Sequence, residues 1–266
     1  MVPFTVSSGI TLHHSMIRRP PLGLLFLEGR AVLEFAALLP AYPLLRRAPR
    51  GDGHPVLVLP AFMTSDPSTR VLRRFLRARG YAAHGWKLGR NMGPSPQTVA
   101  GLGRRFEELR TRYDRRVSVI GWSLGGVYAR ELARVFPTDV RLVITLASPF
   151  RNLEAVNVPA FLLARRRQHP DEAALRERLR DPVPVPMTAI YSRTDGVAAW
   201  QSCVAEPAPL SENIEVGSSH LGIAWHPSVL LVIADRLAQP EGEWNPFRAP
   251  RGWRWPLRPR GMAAHE

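Results

Sequence analysis

The stretch RVSVIGWSLGGVYARELARVF, Arg116 to Phe136, constrains this chain more than any other. Val117, Ser118, Val119 and Ile120 are a run rich in β-branched residues and predict a buried strand, while the apolar residues from Leu124 to Val135 recur at helical spacing. Only three residues remain to turn one into the other. Gly121 and Gly125 stand two positions on either side of Ser123, where a side chain would collide inside so tight a corner, and Gly126 extends the small surface. Such a corner lifts the Ser123 hydroxyl out of the sheet and holds it at the partially positive amino end of the next helix. Ser123 is therefore the candidate nucleophile.

A serine hydroxyl is weak alone; it needs a base, and the base needs an acid to orient it. For a serine at a strand-to-helix corner the chain order is Ser, then Asp or Glu, then His, each after a later strand. His220 lies in VGSSHLG, between a predicted strand ending at Val216 and the last predicted helix, and is the preferred base. His226 falls at that helix's start, His169 in an insertion and His265 near the end of the sequence. The acid should follow the preceding strand, MTAIY, where SRTDGV supplies Asp195; Asp-Gly is also an ordinary turn pair. Asp139, Asp171 and Asp181 stand at the wrong edge or in the insertion, and Glu206 and Glu212 remain alternatives. An attacked carbonyl needs donors for its oxyanion. The backbone N–H of Leu124 provides one, and that of Phe62, in the loop LPAFMTSD after the first strand, is chosen as the other.

Around this corner, strands alternate with helices from about residue 51 to 240. The predicted strands are Pro55–Leu59, Tyr81–Trp86, the run into Trp122, Val140–Leu146, Met187–Tyr191 and Ile214–Val216; the predicted helices are Ser68–Arg79, Gln97–Tyr113, Leu124–Val135 and Pro227–Leu237. That order implies an α/β fold, doubly wound, with a mostly parallel central sheet and helices on both faces. About 152–185 is too long for a single crossover and reads as a small cap insertion. Residues 1–50 form an N-terminal segment with an amphipathic helix from about Leu24 to Leu39, closed by Pro40 and Pro43. The helix either docks on the domain, the preferred expectation, or lies on a membrane surface beside Arg46, Arg47 and Arg50. Residues 241–266 are a basic tail with Trp253 and Trp255, suited to a membrane surface, to nucleic-acid bases or to packing as an arm.

The formal charge of +14 comes almost wholly from arginine, since Lys87 is the only lysine. The arginines are scattered, which points to solvated faces, and no nucleic-acid-binding module accompanies them. The lone cysteine, Cys203, excludes an internal disulfide, and the first residues lack a secretory pattern, so the expected location is the cytoplasm, with peripheral membrane contact as an added expectation.

Together GWSLGG, YSRTDGV and SSHLGI, spread over Pro55 to Leu237, resemble the serine hydrolases of the α/β-hydrolase superfamily, in its lipase and esterase branch. The resemblance implies cleavage of a carboxylic ester through an acyl-serine, without metal or cofactor. Ser123 would be the nucleophile, Asp195 the acid, His220 the base, and Phe62 and Leu124 the oxyanion donors. One departure is that Pro60-Ala61 replace the His-Gly that often opens the family's oxyanion loop. Met63, Trp122 and Phe150 are candidates to line an apolar acyl pocket, and Arg90 and Asn91 either contact a polar part of the substrate or stabilise a turn. The expected partner is a small ester or lipid. An acyltransferase with the same triad and a non-catalytic lipid-surface protein are the alternatives.

Overall fold

The computed structural model describes residues 17–158, 177–249 and 257–260. In β1 (Pro55–Leu59) side chains alternate between faces: Val56 and Val58 join one apolar cluster, Leu57 and Leu59 the other. The same division continues through β2 (Ala82–Gly85), β3 (Val117–Trp122), β4 (Val140–Leu146), β5 (Met187–Tyr191) and β6 (Ser211–Val216), all parallel. The strand order is β2-β1-β3-β4-β5-β6-β7, with β7 (Leu257–Arg260) antiparallel on the β6 edge. Buried on both faces, the central strands read as continuous apolar runs.

The helices are α1 (Leu22–Phe26), α2 (Ala31–Ala36), α3 (Leu38–Leu45), α4 (Arg70–Ala78), α5 (Pro96–Tyr113), α6 (Leu124–Val135) and α7 (Pro227–Leu237). One face is covered by α3, α4 and α7 through Leu45, Leu72, Leu76, Leu230 and Ile233; the other by α5 and α6 through Phe106, Leu109, Val127 and Ala133. Each such side chain contributes roughly 1.5–3 kcal/mol on burial. This is the expected class, an α/β-hydrolase fold with a mostly parallel sheet sandwiched between helices. Because β1 leads outward to β2 and the chain then returns to β3, the winding direction reverses between β1 and β3. Their loops diverge there, leaving a crevice at the carboxyl edge.

Three expectations need correction. The single helix expected over Leu24–Leu39 is instead α1, a 3-10 turn (Leu27–Arg30) and α2, and α3 runs on past Pro40 and Pro43 to Leu45. Pro40 falls in the first turn of α3, where its missing N–H leaves no bond unmade. The segment is also inverted: Glu28 and Glu34 are buried while Phe26, Val32, Leu33 and Leu39 face solvent. Strand β6 starts at Ser211 rather than Ile214, because alternate burial from Glu212 extends the pairing with β5. In the tail, Leu257–Arg260 adds the last strand, whereas Trp253 and Trp255 lie outside the described residues, as do His169, Asp171, His265 and the centre of the expected cap.

Candidate active site

Each of the first four strands is followed at its carboxyl edge by a non-glycine residue with left-handed φ: Met63 (61°), Lys87 (62°), Ser123 (52°) and Ala147 (46°). Such conformations cost of order 1–3 kcal/mol each and persist only where the surroundings fix them. At Ser123 (φ 52°, ψ −119°) the N–H donates to the Leu146 carbonyl (2.8 Å), and its own carbonyl accepts from the Gly126 N–H (2.9 Å). A Cβ on Gly121 would strike the backbone of Gly125 and Gly126, and one on Gly125 would strike the Leu59 and Pro60 carbonyls. The corner is thus pressed onto the loop that follows β1, with Ser123 only partly buried at its apex.

Asp195 and His220, from the loops after β5 and β6, meet: Asp195 Oδ2 lies 2.7 Å from His220 Nδ1. Asp195 Oδ1 accepts from the N–H groups of Val197 (2.8 Å) and Ala198 (2.7 Å), which fixes the carboxylate. The Asp195 contact places the ring proton on Nδ1 and leaves Nε2 as the basic nitrogen. Burial works against the imidazolium, but the charge and hydrogen bond of Asp195, together with the charge of Glu28, outweigh it and raise the His220 pKa. Trp122, next to Ser123 in sequence, donates from Nε1 to the His220 carbonyl (3.1 Å), tying the corner to the histidine loop.

The loop carrying Phe62 is braced from within. Asn91 is fully buried; its Nδ2 donates to the Pro60 carbonyl (2.9 Å), its N–H to the Thr64 carbonyl (2.8 Å), and its own carbonyl accepts from Met63 N–H (2.7 Å). Of the two roles expected for Asn91, the structure gives it the turn-stabilising one. Phe62 is partly buried against the α5/α6 face, and Leu124 opens α6. Of the three residues expected to line a pocket, Met63 is exposed, while Trp122 and Phe150 are buried, the latter beneath the Arg130 guanidinium at 4.0 Å.

Two groups the sequence reading passed over complete this edge. Glu28 accepts from the N–H groups of Gly196 (2.8 Å), His220 (3.0 Å) and Leu221 (2.9 Å). Glu34 accepts from Ser219 N–H (2.7 Å), Ser219 Oγ (2.6 Å) and Ser218 Oγ (3.3 Å). Arg30 joins Glu34 (3.1 Å) to the Thr194 hydroxyl (2.7 Å). The available signal was two glutamates inside the most apolar stretch of the chain, where an unpartnered charge would be costly.

At the carboxyl edge the described hydrogen bonds join His220 to Asp195 but not to Ser123, whereas at the amino edge all three members of a Ser–His–Asp line are joined. His54 Nε2 is 2.8 Å from Ser118 Oγ and His54 Nδ1 is 2.5 Å from Asp52 Oδ1. Asp52 Oδ2 also accepts from Arg115 (2.6 Å) and Arg141 (2.9 Å). Burial and then the Arg141 charge push His54 down to about 4, with the Asp52 contact opposing and Arg115 adding to the drop. Burial works to raise the Asp52 pKa, but the hydrogen bonds from His54 and Arg141 hold it well below the carboxylate range. Ser118 and His54 are both fully buried, and Ser118 lies inside β3 at a shift in its register with β4.

No protein-family model matches the sequence. Among solved structures, the chain is similar to Aspergillus fumigatus lipase B (TM-score 0.57, 16% identity, 73% of this chain and 54% of that one). It therefore spans about half the length of that protein. It is also similar to one of the metagenome-derived lipolytic enzymes LipS and LipT (0.52, 20% identity, 71% and 93%) and to the mature Bacillus licheniformis lipase BlEst2 (0.52, 15% identity, 72% and 94%). At these identities the likeness establishes the fold. Among the described residues, no helix is long and apolar enough to cross a membrane, and no cluster of three His, Cys, Asp or Glu side chains is placed to hold a metal ion.

Proposed function

We propose that this chain is a serine hydrolase that cleaves carboxylic esters with apolar acyl groups, using Ser123 as nucleophile, His220 as base and Asp195 as the orienting acid. The observation that carries this reading is the left-handed backbone of Ser123 at the carboxyl end of β3, tied through Trp122 to a histidine whose Nδ1 is held by a fixed carboxylate. In the reaction, Nε2 of His220 takes the Ser123 proton as Oγ bonds the ester carbon, and the N–H groups of Leu124 and Phe62 stabilise the oxyanion. The imidazolium, stabilised by Asp195, passes the proton to the leaving alcohol as the C–O bond breaks. Water then attacks the acyl-serine, giving its proton to His220, and Ser123 regains that proton as the acid departs. Removing one oxyanion donor typically raises the barrier by ~3 to 4 kcal/mol, which is why the loop braced by Asn91 matters.

The outward face of the N-terminal segment supports a lipid-presented substrate. Phe26 is 87% exposed and Leu39 81%, the segment's two acids face inward, and Arg46 and Arg47 are exposed at its end. We infer peripheral contact with an anionic lipid surface from a cytoplasmic location, which the single buried thiol of Cys203 suits. With Ser123→Ala protein, co-sedimentation with anionic vesicles but not neutral ones, lost on Phe26→Ser with Leu39→Ser, is the expected result; no sedimentation with either sinks the contact.

The 2.8 Å Ser118–His54 contact favours a second reading, with Ser118 as nucleophile. A fluorophosphonate probe separates the two. Labelling lost in Ser123→Ala and kept in Ser118→Ala supports the first reading, and the reverse supports the second.

A further inference from the structure

The acid and the base of the proposed triad sit on loops that leave different strands, β5 and β6, so something must fix one loop against the other. Glu28, only 4% exposed, directs both carboxylate oxygens at exactly those loops' backbones: Oε1 receives the N–H of Gly196, the residue after Asp195, and that of His220 itself, and Oε2 receives the N–H of Leu221. An ionised carboxylate accepts several donors and offers none, which suits a spot where three amides converge. The close approach is built in, since a Cβ on Gly196 would strike the Leu24 carbonyl two residues into α1. Around this point the charged groups facing the His220 loop are Asp195, Glu28 and the Arg30–Glu34 pair, which holds Ser219 and Thr194.

We propose that Glu28 is a positioning residue of the hydrolytic centre: one buried carboxylate from the N-terminal segment locks the acid loop to the base loop and so maintains the Asp195–His220 line. This rests on the reading of Asp195 and His220 as triad members. Its consequence is that the segment bearing the outward apolar face also builds the site beneath it, so the segment from Leu22 to Leu45 belongs to the catalytic unit. A misplacement of about 1 Å at a reacting group can cost on the order of a hundredfold in rate. Glu28→Gln would set an amide N–H₂ against backbone donors and remove a negative charge from beside the imidazole.

The test uses the full chain, with Glu28→Gln and Glu28→Asp, and two readouts. One is kcat and KM on p-nitrophenyl butyrate across pH. The other is the NMR titration of the His220 ring, identified by its loss in His220→Gln. Glu28→Gln should lower kcat about ten- to a hundredfold with KM held within about twofold. The His220 titration, and the acid limb of kcat/KM with it, should move to lower pH. Glu28→Asp, which keeps the charge on a shorter arm, should leave the limb in place with an intermediate kcat. A folded Glu28→Gln protein with wild-type kcat and an unmoved titration overturns the proposal. If Glu28→Gln does not fold, Glu28→Asp decides alone, and wild-type kcat there overturns it. Wild-type protein that turns over no ester sinks the hydrolase reading instead, and the titration still reports whether Glu28 acts on His220.

Discussion

Opposite edges of one sheet hold two His–Asp pairs: at the amino edge a serine is hydrogen-bonded to the histidine, whereas at the carboxyl edge the described hydrogen bonds join His220 to Asp195 but not to Ser123. At the amino edge Ser118, His54 and Asp52 are joined at 2.8 and 2.5 Å, with the serine inside a strand and sealed from solvent. At the carboxyl edge Ser123 is strained, partly accessible and followed by a helix amino end, and His220 is bonded to Asp195 at 2.7 Å. The histidines respond in opposite directions. Arg141 and Arg115 help push His54 down, whereas Asp195 and Glu28 raise His220. A base must become a cation in the transition state; the surroundings of His220 favour such a cation and those of His54 oppose it. A short Ser–His contact is therefore a poor guide by itself. Accessibility, backbone strain and the sign of the local field distinguish a reactive serine from a buried polar tie.

The largest contrast is expected at the serines. Ser123→Ala should reduce ester turnover by about four orders of magnitude or more, while Ser118→Ala should leave it within about threefold. Equal losses in two folded proteins would erase the distinction between the edges. The acids give the next contrast. Asp195→Asn should lower kcat by about three to four orders of magnitude, because an amide cannot hold Nδ1–H in the productive tautomer. Asp52→Asn should leave kcat nearly unchanged and instead cost about 1–2 kcal/mol of stability by urea denaturation, a figure discounted from the buried-pair value because the Asp52 side chain is 43% exposed. An Asp52→Asn enzyme that is stable but inactive would reverse the assignment.

Much of the carboxyl edge was legible because its signals are local. The glycines around Ser123 are needed for close backbone approach, Asp195 and His220 each follow a predicted strand, and chain order completes the set. What was not legible depends on tertiary neighbours. The segment from Leu22 to Leu45 has the composition of a helix that buries its leucines, yet it exposes most of them and buries Glu28 and Glu34. Their partners are amides 168 to 193 positions away, which no local pattern encodes. Asn91 read equally well as a substrate contact or a turn residue until its bonds to Pro60 and Thr64 placed it under the loop that carries Phe62. The amino-edge line was missed for the same reason: Ser118 reads as one strand residue among valines, and only the parallel pairing of β1 and β3 brings His54 to it.

Stability against pH sharpens the contrast between the two histidines. His54 is held neutral in the folded protein, with its pKa at about 4, and regains an ordinary value near 6.5 when the chain unfolds. Between those values the unfolded chain binds the extra proton and the native chain does not, so stability is full above about 6.5 and declines as pH falls toward 4. The decline attributable to His54 should be on the order of 3 kcal/mol. His84, also lowered to about 4, and His226, lowered as well, act in the same direction, so the measurement is a difference. Urea midpoints of wild type and His54→Gln, taken at neutral and at mildly acid pH, should converge on acidification, because the variant starts less stable but has less to lose. His220, raised rather than lowered, works in the opposite sense: its contribution is present below its unfolded value and fades as pH rises through the folded one, so His220→Gln should flatten the loss of stability above about 6.5 and leave the acid decline unchanged in slope. Parallel curves for wild type and His54→Gln would mean that the amino-edge histidine already carries its proton, and the electrical difference between the two lines would disappear.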